Sequence, residues 1–145
     1  MKKIICIVLV MVLTLSVMTA CNFTTNVSNS AGQMQEMEKL ESMLVALSSG
    51  DMVAAKALLY PDVASTQSDA LEQLQEYLNG RKVTDLNQLN WNVSTSTGLG
   101  GKTRQESASF QATLDDGTVF YLSVCYVTEN QAQGFSSFQF ILGIV

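Results

Sequence analysis

The sequence predicts an α+β fold: three N-terminal helices packed on a four-stranded antiparallel meander. Two changes along the chain carry this reading. From residue 33 to residue 80 apolar side chains recur with the 3.6-residue period of a helix, and after residue 87 the period falls to two. The helical and strand-like segments do not alternate, which separates α+β from α/β. The turn signal Asp115-Asp116-Gly117 lies between two alternating runs, as a hairpin requires.

The first helix is expected from Gln33. Met37, Leu40, Met43, Leu44 and Leu47 share one face, with Glu36, Glu38 and Glu41 off it. Gly50 is placed to end this helix in the left-handed conformation. Asp51 then caps a second, shorter helix running to Tyr60, where Pro61 stops it. Asp69 and Glu72 have the spacing of a capping box for a third helix, striped by Leu71, Leu74 and Leu78 and ended by Asn79-Gly80.

Leu89, Trp91 and Val93 alternate with polar residues and predict the first strand, followed by a Gly-rich loop over Thr97–Gly101. Ala108, Phe110, Ala112 and Leu114 predict the second. A two-residue Asp116-Gly117 turn would pair Leu114 with Val119. A three-residue loop with Gly117 left-handed pairs Leu114 with Thr118 and sets Phe110 opposite Leu122, Ala112 opposite Phe120 and Ala108 opposite Val124. The second register matches large residues with small, and a one-residue slip would turn every side chain to the wrong face. The last strand is expected over Phe135–Ile144. The apolar sheet face then comprises Leu89, Trp91, Val93, Phe110, Leu114, Phe120, Leu122, Val124, Tyr126, Phe138, Phe140 and Leu142. The opposite face, with Ser107, Ser109, Gln111, Thr113, Tyr121, Ser123, Cys125, Gln139 and Ile141, is mixed and carries few charges.

The N-terminus reads differently. Lys2 and Lys3 precede an apolar run from Ile4 to Val17, 14 residues long. That is short for a membrane span, which needs roughly 20 residues, and suits a secretory leader. Val17-Met18-Thr19-Ala20-Cys21 resembles the lipobox of bacterial lipoproteins, although Met18 stands where that family usually has Leu. The resemblance implies that Cys21 is acylated and that residues 1–20 are removed before it. Residues 21–32 then form the lipidated Cys and a flexible polar tether, and residues 33–145 a single α+β domain. Such a protein sits at the cell membrane or outer membrane, lipid-anchored, with its domain outside the cytoplasm. Cys6 leaves with the leader and Cys21 is acylated, so Cys125 has no intrachain disulfide partner.

Composition removes several function classes. From residue 21 onward six basic residues face thirteen acidic ones, an acidic balance that disfavours nucleic-acid binding. There is no His, which removes the commonest general base and zinc ligand. Gly98, Gly100 and Gly101 do not make a phosphate loop, and Lys102 and Arg104 after them read as solvated strand residues. Asp115 and Asp116 read as turn chemistry rather than a cation site. Without a base beside it, Cys125 reads as a structural residue. No cofactor, metal or catalytic residue is expected on these grounds.

The run Leu47–Tyr60, followed by a third helix and a strand meander, resembles the nuclear transport factor 2-like superfamily over roughly residues 33–145. That resemblance implies a cone-like fold in which helices lie in the concavity of a curved sheet. It also implies dimerisation through the outer sheet face and, in relatives such as ketosteroid isomerase, chemistry by Asp, His and Tyr inside the cone. Here the acids fall mostly in helices, caps and turns, and only Glu106 lies on an expected strand. The reading is therefore a non-enzymatic, lipid-anchored domain that binds a small apolar ligand or a protein partner. Trp91, Phe110, Leu122, Tyr126 and Phe140 are the expected ligand-lining residues. A cone-fold isomerase, cyclase or dehydratase, and a structural envelope interaction protein, are the alternatives.

Overall fold

A computed structural model describes residues 24–27 and 34–142. The expected leader, Cys21 and Ile144 lie outside the described residues. The chain runs β1 (Thr24–Val27), α1 (Met37–Ser49), α2 (Met52–Ala57), a 3₁₀ turn (Pro61–Val63), α3 (Ala64–Leu78), β2 (Val83–Gly98), β3 (Gly101–Leu114), β4 (Val119–Glu129) and β5 (Ala132–Leu142). The fold is α+β. The strands form one sheet in chain order, with β2 to β5 an antiparallel meander and β1 parallel to β2 at its edge. β1 falls within the segment expected to be a flexible tether: Thr24–Val27 pair with Asp85–Gln88 instead, which adds a fifth strand to the expected four.

Local chemistry accounts for the helices. All five residues of the expected α1 stripe are buried, and Gly50 closes the helix at φ +81°. Asp51 caps α2 by accepting the Ala54 amide at 3.0 Å, although α2 stops at Ala57 rather than Tyr60. α3 starts at Ala64, so Asp69 lies within the helix and does not cap it. The reason lies upstream: Pro61 presets φ for a 3₁₀ turn that runs straight into the helix, making an internal capping box unnecessary. Leu71, Leu74 and Leu78 are fully buried, as the stripe predicts.

The β3–β4 hairpin adopts the three-residue loop. Gly117 sits at φ +83°, the Leu114 amide donates to the Thr118 carbonyl at 2.8 Å, and Phe110–Leu122, Ala112–Phe120 and Ala108–Val124 are register partners. β2 departs from expectation. It begins at Val83, and a bulge lies between Gln88 and Asn90. The extra residue, Leu89, is 38% exposed, and Val93 beyond it is also exposed. Leu86 and Gln88 are buried ahead of Leu89, because the bulge resets which residues on that side of it face inward. Leu142, expected on the apolar face, is exposed as well.

A second bulge lies in β5 at Ser136, between the pairs Cys125–Ser137 and Tyr126–Phe135. It leaves the Phe138 amide to the Gln67 side chain of α3, which accepts it at 3.0 Å. The helices cover the inner face, and Phe110, Phe120, Phe135 and Phe138 form its centre with the leucines of α1 and α3. Tyr77 of α3 meets Phe120 edge-on at 5.7 Å and stacks on Phe140 at 6.1 Å.

The β3–β4 turn is tied to the end of α3. Asp116 accepts the Thr118 amide at 2.9 Å and forms an ion pair with Arg81 at 3.0 Å. The Thr118 side chain and amide, and then Arg81, hold the Asp116 carboxyl at about 2, below its ordinary value of 3.8. A carboxyl depressed in the folded state stabilises fully above its unfolded value and loses that contribution as pH falls through its folded one. Wild type should therefore weaken as pH drops from 3.8 towards about 2, and Asp116→Asn should flatten that part of the profile. Urea midpoints measured across the interval check this; parallel profiles for the two proteins would refute it.

Candidate functional site

The inner face of the sheet is not apolar throughout. Along β3 the inward positions continue from Phe110 through Ala108 to Glu106, and along β4 from Leu122 through Val124 to Tyr126. The register sets Glu106 directly opposite Tyr126, which brings the Cβ atoms of such partners to about 5 Å. Both residues are 2% exposed. Val93 of β2 pairs with Glu106 on its other side, and Trp91 pairs with Ala108 one step further in.

Each polar group in this cluster is met from a different element. Arg104, two residues before Glu106 and so on the same face, donates to the Glu106 carboxylate at 2.7 Å. Its other terminal nitrogen donates to Gln35, just ahead of α1. The forked guanidinium thus satisfies the buried carboxylate while pinning the start of the first helix to the sheet. Arg104 is not the solvated strand residue expected from the sequence. Lys39, on the first turn of α1, donates to the Tyr126 hydroxyl at 2.6 Å and to Gln133 at 3.2 Å, and pairs with Glu36 at 3.0 Å. Burial alone would lower the Lys39 ammonium, but the bonds to Tyr126 and Glu36 outweigh it and hold its pKa above the ordinary value. Further along β2, opposite Phe110, Gln88 is wholly buried and accepts the Met34 amide at 3.0 Å. The Trp91 indole N–H is buried with no hydrogen-bond partner.

The five expected ligand-lining residues therefore separate. Phe110 and Leu122 face each other across the β3–β4 register and are sealed in the core. Phe140 is half-buried against Tyr77. Trp91 and Tyr126 lie beside Glu106, at the polar end. Sequence periodicity could place Glu106 and Tyr126 on one face, but not Lys39, Gln35 or Gln88, which arrive through helix–sheet packing. Among the described residues no group of three His, Cys, Asp or Glu gathers to hold a metal, and no helix is long and apolar enough to cross a membrane.

The outer face carries a different feature. A groove of about 380 Å³ crosses the four long strands, with Asn90, Asn92, Ser109, Ser123, Ser137 and Gln139 among its lining. None of its lining residues is charged. Ser109 and Ser123 are register partners whose hydroxyls share a hydrogen bond at 3.0 Å. Cys125 lies on this side and accepts from Gln105 at 3.0 Å.

No family model matches the chain, and no curated protein matches it. Among solved structures, a crystal structure described as a "putative polyketide cyclase" from Pseudomonas putida KT2440 is similar at 14% sequence identity. The match covers 77% of this chain and 94% of that one, with a TM-score of 0.32.

Proposed function

We propose that the chain is a lipid-anchored extracytoplasmic domain that works by binding rather than catalysis, and that it engages a protein partner through the outer face of its sheet. The observation that carries this is the contrast between the two faces. The inner face is filled by its own core, and Phe110 and Leu122 turn to each other rather than to a ligand. The outer face offers an uncharged groove of hydroxyls and amides, flanked by the exposed side chains of Tyr121 and Ile141, themselves register partners. An uncharged, partly apolar surface loses little on desolvation against a partner.

Two measurements test the two halves of this reading. Labelled palmitate should enter the wild type and fail to enter Cys21→Ala; equal incorporation overturns the anchor. Sedimentation of detergent-extracted wild type should show a mass above the monomer, or a co-purifying protein, that Ser123→Arg abolishes without lowering the urea midpoint. A clean wild-type monomer with no companion overturns the binding face.

A second reading, a cone-fold isomerase, cyclase or dehydratase, rests on one observation: a buried carboxylate, Glu106, faces a buried phenol, Tyr126, across a single register step. Those are groups from which proton transfer can be built. It requires turnover of a lactone or steroid-like panel by wild type, lost in Glu106→Gln and in Tyr126→Phe.

A further inference from the structure

The anchor proposed for Cys21 and the strand observed at Thr24–Val27 together constrain how the domain stands on its membrane. Thr24 pairs with Asp85, Thr25 with Leu86, Asn26 with Asn87 and Val27 with Gln88, all in parallel. The backbone at Thr24 is therefore fixed at the Asp85 end of β2. Cys21 is three residues before Thr24, and three residues of chain reach at most about 10 Å. The Asp115–Gly117 turn lies at the same end, because Val83 pairs with Leu114 and Asp85 with Thr113. The opposite end of β2 is Gly98, which pairs with Gly101 around a turn whose tip, Leu99, is fully exposed. Thirteen residues separate Asp85 from Gly98, a span of roughly 40 Å along a strand.

We infer that β1 straps the lipid to one end of the sheet, so that the Asp115–Gly117 end faces the bilayer and the Gly98–Gly101 turn is held away from it. This rests on the lipid-anchor reading and adds an orientation to it. A free tether would give no such preference, since a coil of its length lets the domain tumble.

The test uses protein processed and acylated in its own cell, reconstituted into vesicles carrying a headgroup-linked energy-transfer acceptor. A donor is placed at Asp115→Cys or at Leu99→Cys in a Cys125→Ser background. The donor at position 115 should be quenched at least about twofold more than the donor at position 99, given the span between them. A Thr25→Pro/Asn26→Pro variant, which removes two amide donors from β1, should keep its palmitate label and lose the difference. Equal quenching at both positions on a labelled protein overturns the strap and leaves the anchor standing. A difference that survives the double-proline variant overturns β1 as its cause. Absence of acyl label on Cys21 overturns the anchor, and the orientation with it.

Discussion

Gly134→Ala should destabilise the protein by about 3 kcal/mol, the combined scale of backbone overpacking and an unfavourable dihedral. Gly134 lies in β5 at φ +157°. A Cβ there would press on the Tyr60 amide nitrogen and come within 2.7 Å of the Leu59 carbonyl oxygen. Both obstacles are backbone, so neither can rotate away. The contact exists because the chain after α2 is laced to β5: the Tyr60 amide donates to the Phe135 carbonyl at 2.9 Å, and the Phe135 amide donates to the Leu58 carbonyl at 2.9 Å. Together with the Leu59–Phe135 bridge they hold the α2–α3 connection against the sheet. For a chain of this size the loss corresponds to roughly 10 °C in Tm. Hydrogen exchange should speed most at the Tyr60 and Phe135 amides. A melting point within a degree or two of wild type would show that the connection moves aside freely.

Arg104→Ala should cost about 2 kcal/mol, below the usual range for orphaning one member of a buried pair because the guanidinium is itself partly exposed. The Glu106 side chain is 3% exposed and Arg104 is 32% exposed. Removing the arginine leaves a carboxylate shut between β2 and β4 with Tyr126 and Val93 as its cross-strand neighbours. It also releases Gln35 and the entry to α1. The diagnostic comparison is the double variant Arg104→Ala/Glu106→Gln. With the charge gone as well, much of the loss should return, since a buried amide is cheaper to leave than a buried anion. Chemical denaturation of the three proteins checks this. A double variant weaker than Arg104→Ala would mean that the arginine acts mainly through Gln35. Arg104→Lys should rescue only in part, because a lysine has a single terminal nitrogen where the guanidinium holds Glu106 and Gln35 with two.

The elements most legible in the sequence were those fixed by neighbours in the chain. The stripe Met37–Leu40–Met43–Leu44–Leu47, the left-handed Gly50 and the Asp51 cap depend on residues within one or two turns. So does the Asp115-Asp116-Gly117 loop, and once its length was chosen the whole β3–β4 register followed. The failures share a different cause. The bulge at Leu89 shifts the inward phase of β2 by one residue, and nothing in the alternation of Leu89, Trp91 and Val93 reveals it; the buried amide of Gln88 makes sense only when the Met34 N–H is seen beside it. In the same way, Glu106 and Tyr126 could have been placed opposite each other from the register. Their contacts to Arg104 and Lys39 depend on how α1 lands on the sheet. α3 begins six residues early, capped at Val63 rather than Asp69, because Pro61 starts a turn that the helix continues.

The sheet order repeats the chain order from β2 to β5, and this shapes how the molecule can assemble. Each of those strands needs only a short turn to find its neighbour, so the meander can zip from hairpin to hairpin with little loop-closure entropy at each step. The helices are made first but must wait for it: the bond from Met34 to Gln88 spans 54 residues and that from Lys39 to Tyr126 spans 87. The two bonds that tie the start of the first helix to the sheet, one opposite the centre of the core and one at its polar end, are thus contacts with long loops to close.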